Sequence, residues 1–112
     1  MIKVSYHDYD PKVFSKTMMD TFDLYVIFGL LPGGFAEALI CCNMTLAENR
    51  ADFINRPVLT EMAEGIKSLF PEQAHGSYEN FKNWIRDTDG RRSAYRAEKE
   101  IEYPMRCLKH VS

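Results

Sequence analysis

The segment Gly29-Leu30-Leu31-Pro32-Gly33-Gly34 constrains this chain more than any other, because a proline beside two adjacent glycines stops a regular element from running through it. A helix arriving from the N-terminal side must end at Gly29, since glycine takes the left-handed conformation of a helix stop without steric penalty. A helix leaving it must start afresh near Gly34. Similar punctuation recurs at Pro11, Pro57, Pro71 and Asp87-Thr88-Asp89-Gly90. Short helices joined by tight turns are the architecture such a chain allows.

The apolar spacing agrees. Asp10 followed by Pro11 predicts an N-cap and first helical residue, and Phe14, Met18, Phe22 and Tyr25 then recur on one helical face up to Phe28, widened by Val13, Leu24, Ile27 and Phe28 itself. A second helix over 34–42 places Phe35, Ala38, Leu39 and Cys42 on one side, with Asn43 closing it. Thr45 and Glu48 have the capping-box spacing, which predicts a third helix from Leu46 to about 54–55 with Leu46, Arg50, Phe53 and Ile54 on one face. Pro57 starts a fourth, carrying Leu59, Met62, Ile66 and Leu69, and Pro71 stops it. Ser77 caps a fifth that bears Tyr78, Phe81, Trp84 and Ile85. Residues 91–100 have helix-forming composition with a thin apolar face.

At the two ends the period changes. Ile2, Val4 and Tyr6 alternate with polar residues, as do Ile101, Tyr103, Met105 and Cys107, the pattern of half-buried strands. The expectation is therefore a mainly α fold, a compact bundle of about five helices, with a small two-stranded sheet where 2–6 pairs with 101–107. Pairing between subunits, in a homo-oligomer, satisfies the same backbone groups.

At 112 residues the chain suits one domain, 1–112, with a helical core over 21–86 and a charged C-terminal extension over 87–112. The net charge of -2 argues against general attraction to nucleic acid. Residues 1–85 carry seven Lys/Arg against eleven Asp/Glu, whereas residues 86–112 carry seven against five. Arg86, Arg91, Arg92 and Arg96 thus form a basic cluster that can hold a phosphate or an acidic surface, with a solvated tail as the plain alternative. Three cysteines, Cys41, Cys42 and Cys107, imply no disulfide framework, and the N-terminus lacks the regions of a signal peptide. The apolar run Leu24–Leu31 is too short to span a bilayer. Together these predict a cytoplasmic protein.

Leu31-Pro32-Gly33-Gly34-Phe35, Arg50-Ala51-Asp52 with Asn55, and Gly76-Ser77 ahead of a Trp-containing helix form a chained pattern. In this pattern the chain resembles a widespread group of small proteins encoded by bacteriophages and prophages, over residues 21–86. It departs from the group at Met44, where an acidic residue is expected, and at His75, where an aromatic is expected. The resemblance implies a helical fold and a phage origin, hence the cytoplasm of a bacterial host. No activity comes with it.

Three groups of residues invite a chemical reading. Arg50, Asp52, Asn55 and Asn43 form either a hydrogen-bonded network that ties helix ends together, or, with the Gly33-Gly34 amides, a site for an anionic or nucleotide-like ligand. Cys41 or Cys42 with His75 is formally a nucleophile pair, against which stands the ordinary role of cysteine as a small core residue. Tyr78, Phe81 and Trp84 are either core residues or a base-stacking stripe, and their spacing favours the core. His7, His75 and His110 have no ligand-like spacing with the cysteines or carboxylates, so neither metal nor cofactor is expected.

The sequence thus leads to the expectation of a non-enzymatic phage accessory protein that binds and inhibits a host protein. A component of antiviral defence, such as CRISPR-Cas or another nuclease, is the expected target, met in part through Arg91, Arg92 and Arg96. An oligomeric sponge for a nucleotide signal and a small enzyme are the alternatives.

Overall fold

A computed structural model describes residues 7–98. Among them six α-helices follow one another: α1 (Lys16–Phe28), α2 (Gly34–Ile40), α3 (Met44–Arg50), α4 (Leu59–Leu69), α5 (Tyr78–Arg86) and α6 (Arg91–Glu98). Short 3-10 turns occupy Arg56–Val58 and Glu72–Ala74. The mainly helical expectation holds, with six helices where about five were expected. The sheet expected from 2–6 and 101–107 lies outside the described residues.

Helix α1 is the centre of the molecule. Phe22, Asp23, Tyr25, Val26 and Ile27 are buried on it, and it packs against α2, α5 and α6. Aromatic rings spread from it in a connected series: Tyr9 meets Phe14 at 5.0 Å, Phe14 meets Phe22 edge-on at 5.8 Å, and Phe22 meets Phe70 edge-on at 5.8 Å. Tyr25 stacks on Phe81 at 5.3 Å. Such offset and edge contacts add stabilisation beyond the apolar area they bury. On α4, Gly65 leaves room for the Phe14 ring, which would lie within about 3 Å of any Cβ there.

The end of α1 is closed by its own chain and by α5. Gly29 has φ +69, and its N–H reaches the Tyr25 carbonyl while the Leu30 N–H reaches that of Leu24. The carbonyl of Val26, otherwise an orphan of the last turn, accepts from Trp84 Nε1 at 3.0 Å. The Tyr25 hydroxyl likewise donates to Ala74 O at 2.7 Å. Two large core rings therefore also serve as hydrogen-bonding staples.

Several helix boundaries differ from expectation. Asp10 does cap, accepting from Lys12 N at 2.9 Å, but it caps a single turn. Phe14 ends that turn in the core, and Ser15 Oγ restarts the helix by accepting from Met18 N. Helix α2 stops at Ile40 because Cys42 takes a left-handed conformation, φ 61, which sends the Asn43 N–H back to Ala38 O. Asn43 then caps α3 through Oδ1 to Leu46 N, displacing the Thr45/Glu48 box. Helix α3 ends at Arg50, short of 54–55, because Asp52 Oδ1 accepts from both Ile54 N and Asn55 N and folds that stretch into a turn. Phe53 and Ile54 consequently leave the core face assigned to them. Helix α4 begins at Leu59, with Pro57 in the 3-10 turn before it.

Candidate functional site

Helices α2 and α3 form a helical hairpin, so the start of α2 and the end of α3 lie side by side. Arg50 fastens them: its Nη1 donates to Gly34 O at 2.9 Å, and its side chain lies over the Gly34 backbone. Gly33 and Arg50 are thereby brought together with Gly34, whereas Asp52 and Asn55 turn to each other through Asp52 Oδ1 and Asn55 N at 2.8 Å. Asn43 stays at the opposite end of the hairpin, as the α3 cap. The guanidinium of Arg50 therefore rests on a carbonyl, which is the helix-tying arrangement among the two readings of this group.

The basic cluster is divided by the fold. Arg92 lies half-buried, donating from Nε to Trp84 O at 3.0 Å and from Nη2 to Ile85 O at 3.3 Å, so it satisfies the end of α5. It also packs on Gly29, where a Cβ would come within 2.6 Å of its guanidinium carbon. Arg91 pairs with Asp89 at 2.9 Å in the open, and Arg96 sits over the Phe28 ring at 5.7 Å.

Among the described residues no contact joins Cys41 or Cys42 to His75. Cys41 is half-buried, and burial, followed by the charges of Glu37 and Cys42, pushes its pKa up to about 11. Cys42 is exposed. His75 faces Phe70 instead, and burial lowers its pKa from the ordinary value. Phe81 and Trp84 are core residues, leaving Tyr78 exposed with Lys82 Nζ over its ring at 4.9 Å. No three His, Cys, Asp or Glu side chains among the described residues converge as a metal site requires.

One buried polar assembly escapes sequence reading altogether. Asp23 is 1% exposed, and its Oδ1 meets His7 Nδ1 at 2.8 Å and the Tyr9 hydroxyl at 2.9 Å. The other ring nitrogen of His7 meets the Tyr95 hydroxyl at 3.0 Å. Burial first, and then the Asp23 charge, raise the pKa of both Tyr9 and Tyr95. Both phenols therefore stay protonated and able to donate. The assembly links the N-terminal segment, α1 and α6, and its sequence signal is only one acidic residue inside an apolar helix. A polar cleft lined by Gln73, Asn80, Asn83, Trp84, Asp89 and Arg91 holds about 100 Å³, well below the roughly 300 Å³ of small-molecule sites.

The surface that departs most from that of a self-sufficient globule is apolar. Phe53 is 84% exposed, Leu31 77%, Ile54 66% and Leu30 52%. Leu30 and Leu31 precede Gly34, Phe53 and Ile54 follow Arg50, and the Arg50–Gly34 hydrogen bond holds the two loops at the same end of the α2–α3 hairpin. The first loop, 29–33, has no regular structure and carries Pro32-Gly33, and the second is a turn folded by the Asp52 side chain. This end of the hairpin is the candidate site, an interaction surface. No helix of the described residues is long and apolar enough to cross a membrane.

Comparison with models of known protein families, with curated proteins and with solved structures finds no match.

Proposed function

We propose that this protein is a phage accessory protein that works by stoichiometric contact: it binds a host protein, a component of antiviral defence such as CRISPR-Cas or another nuclease, and blocks it. The observation that carries the reading is the exposure of Leu30, Leu31, Phe53 and Ile54 on the two loops that flank the Arg50–Gly34 contact. Each such side chain, placed in a partner's pocket, contributes roughly 1.5–3 kcal/mol of apolar burial, and a few anchors of this kind dominate most interfaces. The phage resemblance of residues 21–86 supplies the biological setting. The host cytoplasm is the compartment in which such an inhibitor meets its target.

Phage challenge of defence-expressing bacteria provides the test. Cells carrying the gene should be infected more readily than cells without it, and the Leu31→Ser/Phe53→Ser chain should lose that effect while remaining folded by circular dichroism. Equal plaque counts with and without the gene, across several defence systems, would sink the proposal. So would full activity of the double variant.

A further inference from the structure

We infer that the partner surface fitted by this end of the molecule is an apolar pocket rimmed by carboxylates, an inference that rests on reading the protein as one that binds another protein. Three guanidiniums frame the exposed apolar side chains: Arg92 lies against Gly29 beside Leu30, Arg50 crosses Gly34, and Arg56 follows Ile54 in the second loop. Each rests on backbone carbonyls. Arg92 uses those of Trp84 and Ile85, Arg50 that of Gly34, and Arg56 those of Glu48 and Ala51. Among the described residues no ion pair within 4.0 Å joins Arg50, Arg56 or Arg92 to a carboxylate, although the Arg92 charge acts on Asp87.

A carbonyl contact orients a guanidinium but does not neutralise it. Arginine has five N–H donors, and Arg50 and Arg56 each engage only one nitrogen while standing exposed. Within 50–56 the one carboxylate, Asp52, has its Oδ1 committed to the N–H groups of Ile54 and Asn55. In a chain whose net charge is -2, residues 50–56 carry two arginines against one carboxylate, next to the exposed Phe53 and Ile54.

The complement of such a surface is an apolar depression with acidic residues at its edge. The apolar core would supply affinity, and the charged rim association rate and register. An anionic bilayer shares part of that chemistry, but the geometry favours protein. The three cations are planar forks pinned by backbone contacts, which suit carboxylates at fixed positions, and no lysine lies in residues 28–58 to give the looser attraction typical of lipid surfaces.

Panning a yeast-displayed random peptide library on the intact protein tests the inference without knowledge of the natural partner. Enriched peptides should carry apolar or aromatic residues flanked by Asp or Glu. Their binding should fall about tenfold or more with Leu31→Ser/Phe53→Ser, fall several-fold with Arg56→Gln but less with Arg56→Lys, and weaken as salt is raised. The inference is overturned by peptides without acidic residues, by binding indifferent to Arg56→Gln, or by no enrichment over the double variant. Sedimentation with phosphatidylserine vesicles that requires Leu31 and Phe53 would instead assign the surface to a membrane. Self-association abolished by Phe53→Ser would assign it to a second copy of the chain. Loss of phage protection by the Leu31/Phe53 variant, with binding indifferent to the arginines, removes the acidic rim and leaves the functional reading standing. Protection retained by that variant removes the functional reading itself.

Discussion

His7 Nδ1 lies 2.8 Å from Oδ1 of Asp23, joining the start of the described chain to the centre of its buried helix. The carboxylate is almost wholly enclosed, and its partners include the ring nitrogen and the Tyr9 hydroxyl, held 2.9 Å away. Removing one hydrogen-bonding partner of a buried charged group costs about 1–3 kcal/mol, or somewhat more. His7→Ala should therefore destabilise the fold by about 3 kcal/mol in urea unfolding. Asp23→Asn should lower the further effect of His7→Ala by more than about 1 kcal/mol in a double-mutant cycle. Additive effects would show that the two side chains are not coupled.

Trp84 offers a second test, because its indole N–H satisfies the Val26 carbonyl at the end of α1. Trp84→Phe keeps an aromatic ring in the core and removes the donor. An orphaned buried carbonyl together with the smaller ring should lower stability by about 1–3 kcal/mol, measured as a lower urea midpoint with an unchanged slope. A midpoint unmoved by the substitution would mean that the carbonyl finds another donor.

Cys42 occupies the left-handed position that closes α2, with φ 61, where glycine is the usual residue. Cys42→Gly should relieve that strain and raise stability by about 0.5–1 kcal/mol. Its exposure also makes it the thiol of the pair that alkylates first. Peptide mapping after brief iodoacetamide treatment should find Cys42 modified well ahead of Cys41, whose thiol is held protonated by a pKa pushed up to about 11.

Asp87 joins α5 to α6. It ends α5 in a left-handed conformation, and its carboxylate accepts from the Arg92 N–H, the Ser93 N–H and the Ser93 hydroxyl. Burial opposes ionisation, but the Ser93 hydroxyl, the Arg92 N–H and charge, and the Ser93 N–H outweigh it and hold the pKa below the ordinary carboxylate value. Stability from this group is therefore complete above the ordinary carboxylate range and is lost as pH falls through its lower folded value. Asp87→Asn should cost about 1 kcal/mol at neutral pH, and the gap from the parent chain should close in acid. Melting temperatures followed by circular dichroism across that range check both the size and the sign.

Much of the local structure was legible from residues alone. Gly29 as a helix stop, Ser77 as a cap, Pro71 after α4 and the inward face of Leu59, Met62 and Ile66 all follow from backbone chemistry or helical period. The failures have particular causes. The Thr45/Glu48 spacing was a genuine capping signal, but Asn43 stood two residues nearer the turn made by Cys42 and took the first N–H. Phe53 and Ile54 kept the helical period of α3, yet the Asp52 side chain offered their backbone a better local partner than another helical turn.

By itself, then, the sequence determined where helices are allowed, because glycine, proline and capping side chains act on their immediate neighbours. Only the tertiary structure decided what the polar and leftover apolar residues do. It carried Tyr95 of α6 to His7, set Arg92 on the end of α5, and laid Arg50 over Gly34, tying the end of α3 to the start of α2. Those pairings span from 8 to 88 positions of the chain and cross from one element to another, so no local propensity encodes them. They arise from the packing of α1 against α2, α5 and α6 and of α2 against α3, which buries the core and leaves Leu31 and Phe53 exposed.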